Sequence, residues 1–350
     1  MNTGEDIFSY LGPRKKKIRV KSKKHSKVYR VLCLGGGGSR GIMQAIVLHY
    51  LDYHYRILDY VDLSIGTSIG GLNSMLMATG YELKEIVRFY PIIFQKHIFK
   101  QTLRRRLFSF GGILFPKYDI KDKKAILDSL FSDKDLTMEK FSNSITVDHE
   151  YSNDFTLKRP FHAGVTIHNL NGGPELFTTY NEKESNLAYL LRKTSDAPTI
   201  WRTDEPRVDG GLSVNNPICF AKTEEKRFMK SDSFPTVYKQ VVKKKTYRCL
   251  SITCGNTELQ SFKGIIDSPQ GAISWGLRLV DVFMITAQVS LSNKLTKSFQ
   301  NDDQYNTIDY PSTFSKLDEM DFEGMRKEIS KFIKDNEKML EDYAKWFISD

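Results

Sequence analysis

Ser68 has a glycine two residues to either side, in Gly66-Thr67-Ser68-Ile69-Gly70. This G-x-S-x-G follows a short apolar run from Asp62, "DLSIG", and precedes a stretch of helical spacing. A strand, a tight turn and a helix in that order form the setting of a nucleophile elbow, where flanking glycines let the chain reverse sharply around the serine. A hydroxyl placed at a helix N-terminus meets free amides and the positive end of the helix dipole. Such a serine can attack a carbonyl if a base takes its proton and donors hold the developing oxyanion.

The stretch "VLCLGGGGSRGIM", Val31 to Met43, offers the donors. Bare backbone lets Gly36, Gly37 and Gly38 turn amides toward one point, and Arg40 can fix the loop or add positive field. A rival reading uses the same residues. Gly36-x-Gly38-x-x-Gly41 also satisfies the dinucleotide pattern, with Asp59 and Asp62 standing about 20 residues on as ribose-binding acids. A phosphate-binding loop of the Gly-Lys-Ser/Thr type is excluded, since no such triplet follows. The nucleotide reading leaves the Ser68 elbow without a purpose.

Histidine is the usual base, but His162 and His168 fall in strand-like sequence, and His49, His54 and His97 in helix-like sequence. None stands in a turn. Asp209 does, in "RVDGGLSVNNP", where Gly210 and Gly211 follow it. It is the better candidate base, although the same residues also suit an ordinary D-G turn.

The three stretches together resemble the patatin-like phospholipase family. The resemblance rests on Gly36-Gly37-Gly38-Ser39-Arg40-Gly41, Gly66-Thr67-Ser68-Ile69-Gly70 and Asp209-Gly210-Gly211, in this order. "SDAPTIW" from Ser195, "NNP" from Asn215, "FPKYD" from Phe115 and "LSITCG" from Leu250 add to it. It covers residues 31–220 well and reaches Gly255 weakly. Asp196 departs from the pattern, which commonly has a small residue there. The resemblance implies an α/β three-layer sandwich around a mainly parallel sheet. It also implies a Ser68–Asp209 dyad without histidine, an oxyanion hole from the 36–41 loop, and an acyl-enzyme released by water. The implied activity is that of a lipid acyl hydrolase, a serine esterase of phospholipase A type, acting on phospholipid at a membrane surface without a cofactor. A transacylase using the same acyl-enzyme is a close variant.

The elements around these motifs agree with that order. "KVYRVLCLG" reads as a buried strand, and "SRGIMQAIVLHYLDYHY" as a helix with Ile42, Ala45, Ile46, Leu48, His49 and Tyr53 at helical spacing. "SIGGLNSMLMATG" is a second helix stopping at Gly80. "PFHAGVTIHNLNGGPELFTTYN" reads as two strands joined at "NLNGG", and "YRCLSITCG" as a late strand. Alternating strands and helices predict a mainly parallel sheet. At the C-terminus, Phe322, Met325, Ile329, Phe332, Ile333, Met339, Leu340, Tyr343, Trp346 and Phe347 recur at spacings of three and four, which predicts one amphipathic helix packed on the domain. The expected organisation is a basic arm over 1–27, a catalytic domain over 28–315 and this helix over 316–350.

The formal net charge of +10 is concentrated. Arg14 to Lys27 holds nine Lys and Arg and no acid, and removing them leaves the rest of the chain at +1. Such an arm suits a solvated tail, an anionic membrane, nucleic acid or a nuclear-import signal. No apolar run approaches the ~18–20 residues of a membrane span, and no apolar leader follows a basic start. The four cysteines are scattered, with no C-x-x-C pair, so reduced thiols and an intracellular setting are expected; the expected location is cytoplasmic, with transient membrane association. No acidic loop of the calcium-binding type is present, so no metal is expected. In "RRRLFSFGGILFPKY", Arg104 to Tyr118, three arginines precede an apolar run. Phe108, Phe110, Ile113, Leu114 and Phe115 suit either insertion at a lipid surface or a lid over the site.

Overall fold

The computed structural model describes residues 28–99, 117–131, 136–145, 161–181, 184–198, 200–230, 246–256, 298, 303–314 and 316–350. The basic arm and the run from Arg104 to Phe115 lie outside the described residues. The first strand, β1 (Val28–Leu34), is buried along its whole length. Its even positions Leu32 and Leu34 face one apolar core, and its odd positions Tyr29, Val31 and Cys33 face another. A strand buried on both faces is the middle layer of three. Beside β1 run β2 (Leu63–Thr67) and β3 (His162–Asn169) on one side, and β6 (Thr246–Ile252) and β7 (Tyr305–Ile308) on the other, all parallel. β4 (Gly173–Thr178) closes the β3 edge antiparallel, after the expected turn.

One face of the sheet is covered by α1 (Gly41–Tyr55), α2 (Ile69–Ala78) and α3 (Leu83–Ile93), and by two C-terminal helices, α8 (Phe322–Asp335) and α9 (Glu337–Ile348). On the other face Ile218 and Ala221 of α7 (Ile218–Lys230) pack against Val31, Ile65 and Cys249. Three further helices, α4 (Ile120–Leu130), α5 (Met138–Ile145) and α6 (Leu187–Thr194), complete the described α-helices. Asp119 caps α4 and Asn186 caps α6, each accepting a first-turn amide.

The expected single C-terminal helix is two. The chain breaks at Asn336, which leaves helical geometry at φ −123° while its side-chain amide donates to the Phe332 carbonyl at 2.9 Å. An asparagine side chain competes for backbone partners in this way, and an apolar repeat cannot register it. Of the predicted stripe, Phe322, Met325, Ile329, Ile333, Leu340 and Phe347 are buried, while Phe332, Met339, Tyr343 and Trp346 are partly buried at its margin, and Ala344 joins the buried face. The end of α9 is held by the buried Arg30, whose guanidinium donates to the carbonyls of Phe347 (2.6 Å), Ile348 (3.1 Å) and Ser349 (2.5 Å). A guanidinium at a helix C-terminus satisfies carbonyls that would otherwise lack donors.

The arrangement of β5 (Arg207–Asp209) matters most for the site. β4 occupies one edge of β3 over Gly164–Asn169, so β5, which pairs antiparallel with Ile167–Asn169, must lie on the edge shared with β2. There β2 ends with Thr67 opposite Thr166, and β5 ends with Asp209 opposite Ile167. The two strands approach each other end to end on neighbouring positions of β3. Residues 68 and 209, distant in sequence, are thereby brought face to face.

Candidate active site

Ser68 stands between β2 and α2 with φ 54° and ψ −121°, a conformation that costs a non-glycine residue about 1–3 kcal/mol. It is one of two non-glycine residues among those described with positive φ. The turn survives because its glycines admit no side chain. A Cβ on Gly66 would fall on the backbone of Gly70, and one on Gly70 would fall on the carbonyl oxygen of Leu34. The Ser68 amide donates to Thr194 Oγ1 at 2.9 Å, and the Thr194 hydroxyl donates in turn to the Thr166 carbonyl at 2.6 Å.

The Ser68 hydroxyl donates to Asp209 Oδ2 at 2.7 Å. The other carboxylate oxygen accepts the Gly211 amide, also at 2.7 Å, so the turn after the aspartate holds its carboxylate by both oxygens. A Cβ on Gly210 would meet the Thr166 carbonyl, so Gly210 too is set by close approach. Asp209 is 1% exposed. Burial pushes its carboxyl up to about 6, while the bonds from Ser68 and Gly211 and the nearby Lys123 charge act the other way and Asp196 adds to the rise. A carboxylate so shifted is a far better proton acceptor near neutrality than an ordinary aspartate.

The glycine loop leaves the end of β1 beside this pair. The Gly36 amide is already engaged with the Asn215 carbonyl at 3.0 Å. The Arg40 guanidinium is buried and turned toward the carbonyls of Gly37 (3.3 Å) and Gly255 (3.1 Å), so it fixes the loop. The amides of Gly37 and Gly38 make no hydrogen bond among the described residues. Their direction follows from trans-peptide geometry, in which a carbonyl and the next amide point to opposite sides. Asn215 Nδ2 holds the Gly36 carbonyl at 3.3 Å, which aims the Gly37 amide away from Asn215. The Arg40 amide and Nε hold the Gly37 carbonyl, each at 3.3 Å, which aims the Gly38 amide away from Arg40. Beneath the loop, Gln44 Nε2 donates to the carbonyls of Gly35 and Ile252, and Gln44 Oε1 accepts from Asn73, itself held by Tyr90.

Gly38, Ser68 and Asp209 open on one cavity of about 580 Å³, part of it continuous with solvent. Its wall is mostly apolar, with Phe94, Ile98, Phe99, Leu127, Leu191 and Trp201, and Lys123 among them. Phe94 and Ile98 come from a single π-helical turn (Phe94–Ile98), a local irregularity common at functional sites. Leu317 closes the glycine-loop side, its carbonyl accepting the Ser39 amide at 2.8 Å. The arrangement can bind a long apolar group beside a hydroxyl with a base attached and two unpaired amides close by.

The acids of the rival nucleotide reading lie elsewhere. Asp59 is paired with Arg56 at 2.5 Å, and Asp62 precedes β2, at the opposite end of the sheet from the glycine loop, where it accepts the Arg30 amide at 2.9 Å. Among the described residues no histidine hydrogen-bonds to Ser68 or Asp209; His162 bonds Thr179 and His168 bonds Ser213. Among those residues no group of three or more His, Cys, Asp or Glu converges on a metal position, and no helix is long and apolar enough to cross a membrane. Sequence reasoning missed Thr194, the orienting bonds of Asn215, and Lys123, which sits in the cavity wall. Lys123 lies among other lysines in "IKDKKAILDSL", and nothing in that pattern singles it out.

Comparison with known proteins shows what the chain is similar to. The family model of patatin-like phospholipases matches residues 32–221. Patatin-like protein 2 of Oryza sativa subsp. indica is 27% identical over 308 residues, covering 73% of this chain and 69% of the relative. A cGAMP-activated phospholipase of Escherichia coli (strain TW11681) is 28% identical over 238 residues, covering 61% of this chain and 60% of the relative. Among solved structures, VipD from Legionella pneumophila aligns with 87% of this chain and 67% of its own at a TM-score of 0.40 and 13% identity. The family match takes in the glycine loop, the Ser68 elbow and the Asp209 turn and spans more than half of the chain, and the chain belongs to the patatin-like phospholipase family.

Proposed function

We propose that the chain is a lipid acyl hydrolase of phospholipase A type, a serine esterase that works through a Ser68–Asp209 dyad. The observation that carries the reading is the 2.7 Å bond from Ser68 Oγ to a buried carboxylate at the mouth of an apolar cavity. Ser68 Oγ attacks the ester carbonyl carbon as Asp209 takes its proton. The carbonyl oxygen becomes an oxyanion, and the amides of Gly37 and Gly38 donate to it. Collapse of this intermediate breaks the bond to the alcohol, and Asp209 returns the proton to the departing alkoxide. Water, deprotonated by Asp209, then attacks the acyl-serine and releases the fatty acid while Ser68 recovers its proton.

The phospholipase named among the relatives supports a phospholipid substrate, as does a cavity suited to an acyl chain. The nine cations of Arg14 to Lys27 suit the surface of an anionic membrane, and the enzyme works at such a surface. The test is fatty-acid release from mixed phosphatidylcholine and phosphatidylglycerol vesicles with EDTA present. Wild type should release acid, and Ser68→Ala and Asp209→Asn should each lose at least about 10³-fold. Activity retained by Ser68→Ala overturns the proposal.

A further inference from the structure

The segment Thr194–Asp196 holds both members of the dyad by their backbone. Thr194 Oγ1 accepts the Ser68 amide at 2.9 Å, and the Asp196 carbonyl accepts the Asp209 amide at 3.3 Å. A shift of this segment therefore moves the nucleophile and the base together. One side chain from another helix ties it down. Lys123 of α4 donates to the Arg192 carbonyl (3.3 Å), the Ser195 carbonyl (2.7 Å) and Asp196 Oδ1 (2.8 Å). An ammonium has three protons, and all three are used on this segment and the helix end before it. Lys123 and Asp196 are both almost fully buried, at 4% and 1% exposure. A buried charge without a partner is costly, so each requires the other. Lys123 also lies 4.8 Å from the ring centroid of Trp201, in the cavity wall.

We propose that Lys123, through its ion pair with Asp196, is a positioning residue that holds Thr194–Asp196 and so sets both the geometry and the charge balance of the Ser68–Asp209 pair. The inference rests on the dyad reading above. Lys123 does not act on substrate, because its donors are spent. Around the Asp209 carboxylate stand Ser68 at the start of α2, the Gly211 amide, Lys123 from α4 and Asp196 after α6, and the last two carry charge. Lys193 reaches Asp196 at 4.0 Å but is bonded to Asp204 at 2.7 Å, so it is a poor replacement for Lys123.

The two charges act on Asp209 with opposite sign, and the experiment uses this. The measurement is kcat/KM against pH for the soluble ester p-nitrophenyl butyrate, with the full chain and its Lys123→Met, Lys123→Arg, Asp196→Asn and Asp209→Asn variants. In wild type the rising limb should fall near pH 6. Lys123→Met removes a positive charge and should move the limb upward. Asp196→Asn removes a negative charge and should move it downward. In Lys123→Met kcat should drop about tenfold or more with KM within about twofold, and Lys123→Arg should restore most of it. A folded Lys123→Met with wild-type kcat and an unmoved limb overturns the inference. Where Lys123→Met does not fold, the double variant Lys123→Met/Asp196→Asn, which leaves no unpaired buried charge, decides: kcat lowered about tenfold or more with KM within about twofold supports the inference, and wild-type kcat overturns it. Failure of the dyad itself is distinct, since Asp209→Asn would then keep the wild-type profile, and the inference falls with it.

Discussion

Replacing Asp209 by asparagine should stabilise the protein while abolishing activity, and the gain should depend on pH in a defined direction. The carboxyl is 1% exposed and raised from its ordinary 3.8 to about 6, with burial as the largest cause. A folded value above the unfolded one means that the native state binds this proton more tightly. The associated stability is fully present below pH 3.8 and is lost as pH rises through 6. A rise from 3.8 to about 6 corresponds to about 3 kcal/mol of native stability forfeited at pH 8. Asparagine has nearly the same shape, carries no charge, and can still accept the Gly211 amide. Asp209→Asn should therefore exceed wild type by about 2–3 kcal/mol at pH 8, with the advantage shrinking through pH 6 and absent near pH 4. Urea unfolding followed by tryptophan fluorescence at pH 4, 6 and 8 measures this. The reasoning is refuted if the variant shows no gain at pH 8, or the same gain at pH 4.

Two further substitutions probe the backbone around the dyad. Gly70→Ala should cost at least about tenfold in activity together with a lower Tm, because its Cβ would meet the backbone carbonyl of Leu34, which cannot swing aside as a side chain could. Gly80→Ala is the matched control: φ is +95°, but nothing lies within 4 Å of the added Cβ, so only about 1 kcal/mol of stability should be lost with activity intact. Asn215→Asp removes the donor that holds the Gly36 carbonyl and should lower kcat about 10²-fold with little change in KM, as loss of one oxyanion donor does. An unchanged kcat would separate Asn215 from the aim of the Gly37 amide.

The elements nearest the chemistry were legible because their residue types are constrained by the backbone. Gly66 and Gly70 flank Ser68 since no side chain fits there, and a strand–turn–helix pattern surrounds them. Gly210 follows Asp209 for the same kind of reason, and the parallel sheet follows from the alternation of apolar strands and helices. The approach of the two sites was not legible from composition or periodicity. It depends on β5, a strand of three residues, which takes its place only from the register of β3. Nor was it visible which groups of the glycine loop remain available. The amide of Gly36 reads as equivalent to those of Gly37 and Gly38, yet it is engaged by the Asn215 carbonyl, and of the two roles open to Arg40 its bonds to two carbonyls fit the fixing of the loop. Lys123 escaped notice because its role depends on a helix end far away in sequence. The break at Asn336 is set by one side-chain bond, to which an apolar stripe is blind.

The central claim is that Ser68 is the nucleophile and that the fold makes it one. Treating the full chain with a fluorophosphonate and mapping the adduct by peptide mass spectrometry tests it most directly, without needing the right lipid or an activator. A single adduct is expected on the peptide carrying Ser68, formed more slowly in Asp209→Asn and absent in Ser68→Ala. An adduct on another residue, or labelling undiminished in Ser68→Ala, contradicts it.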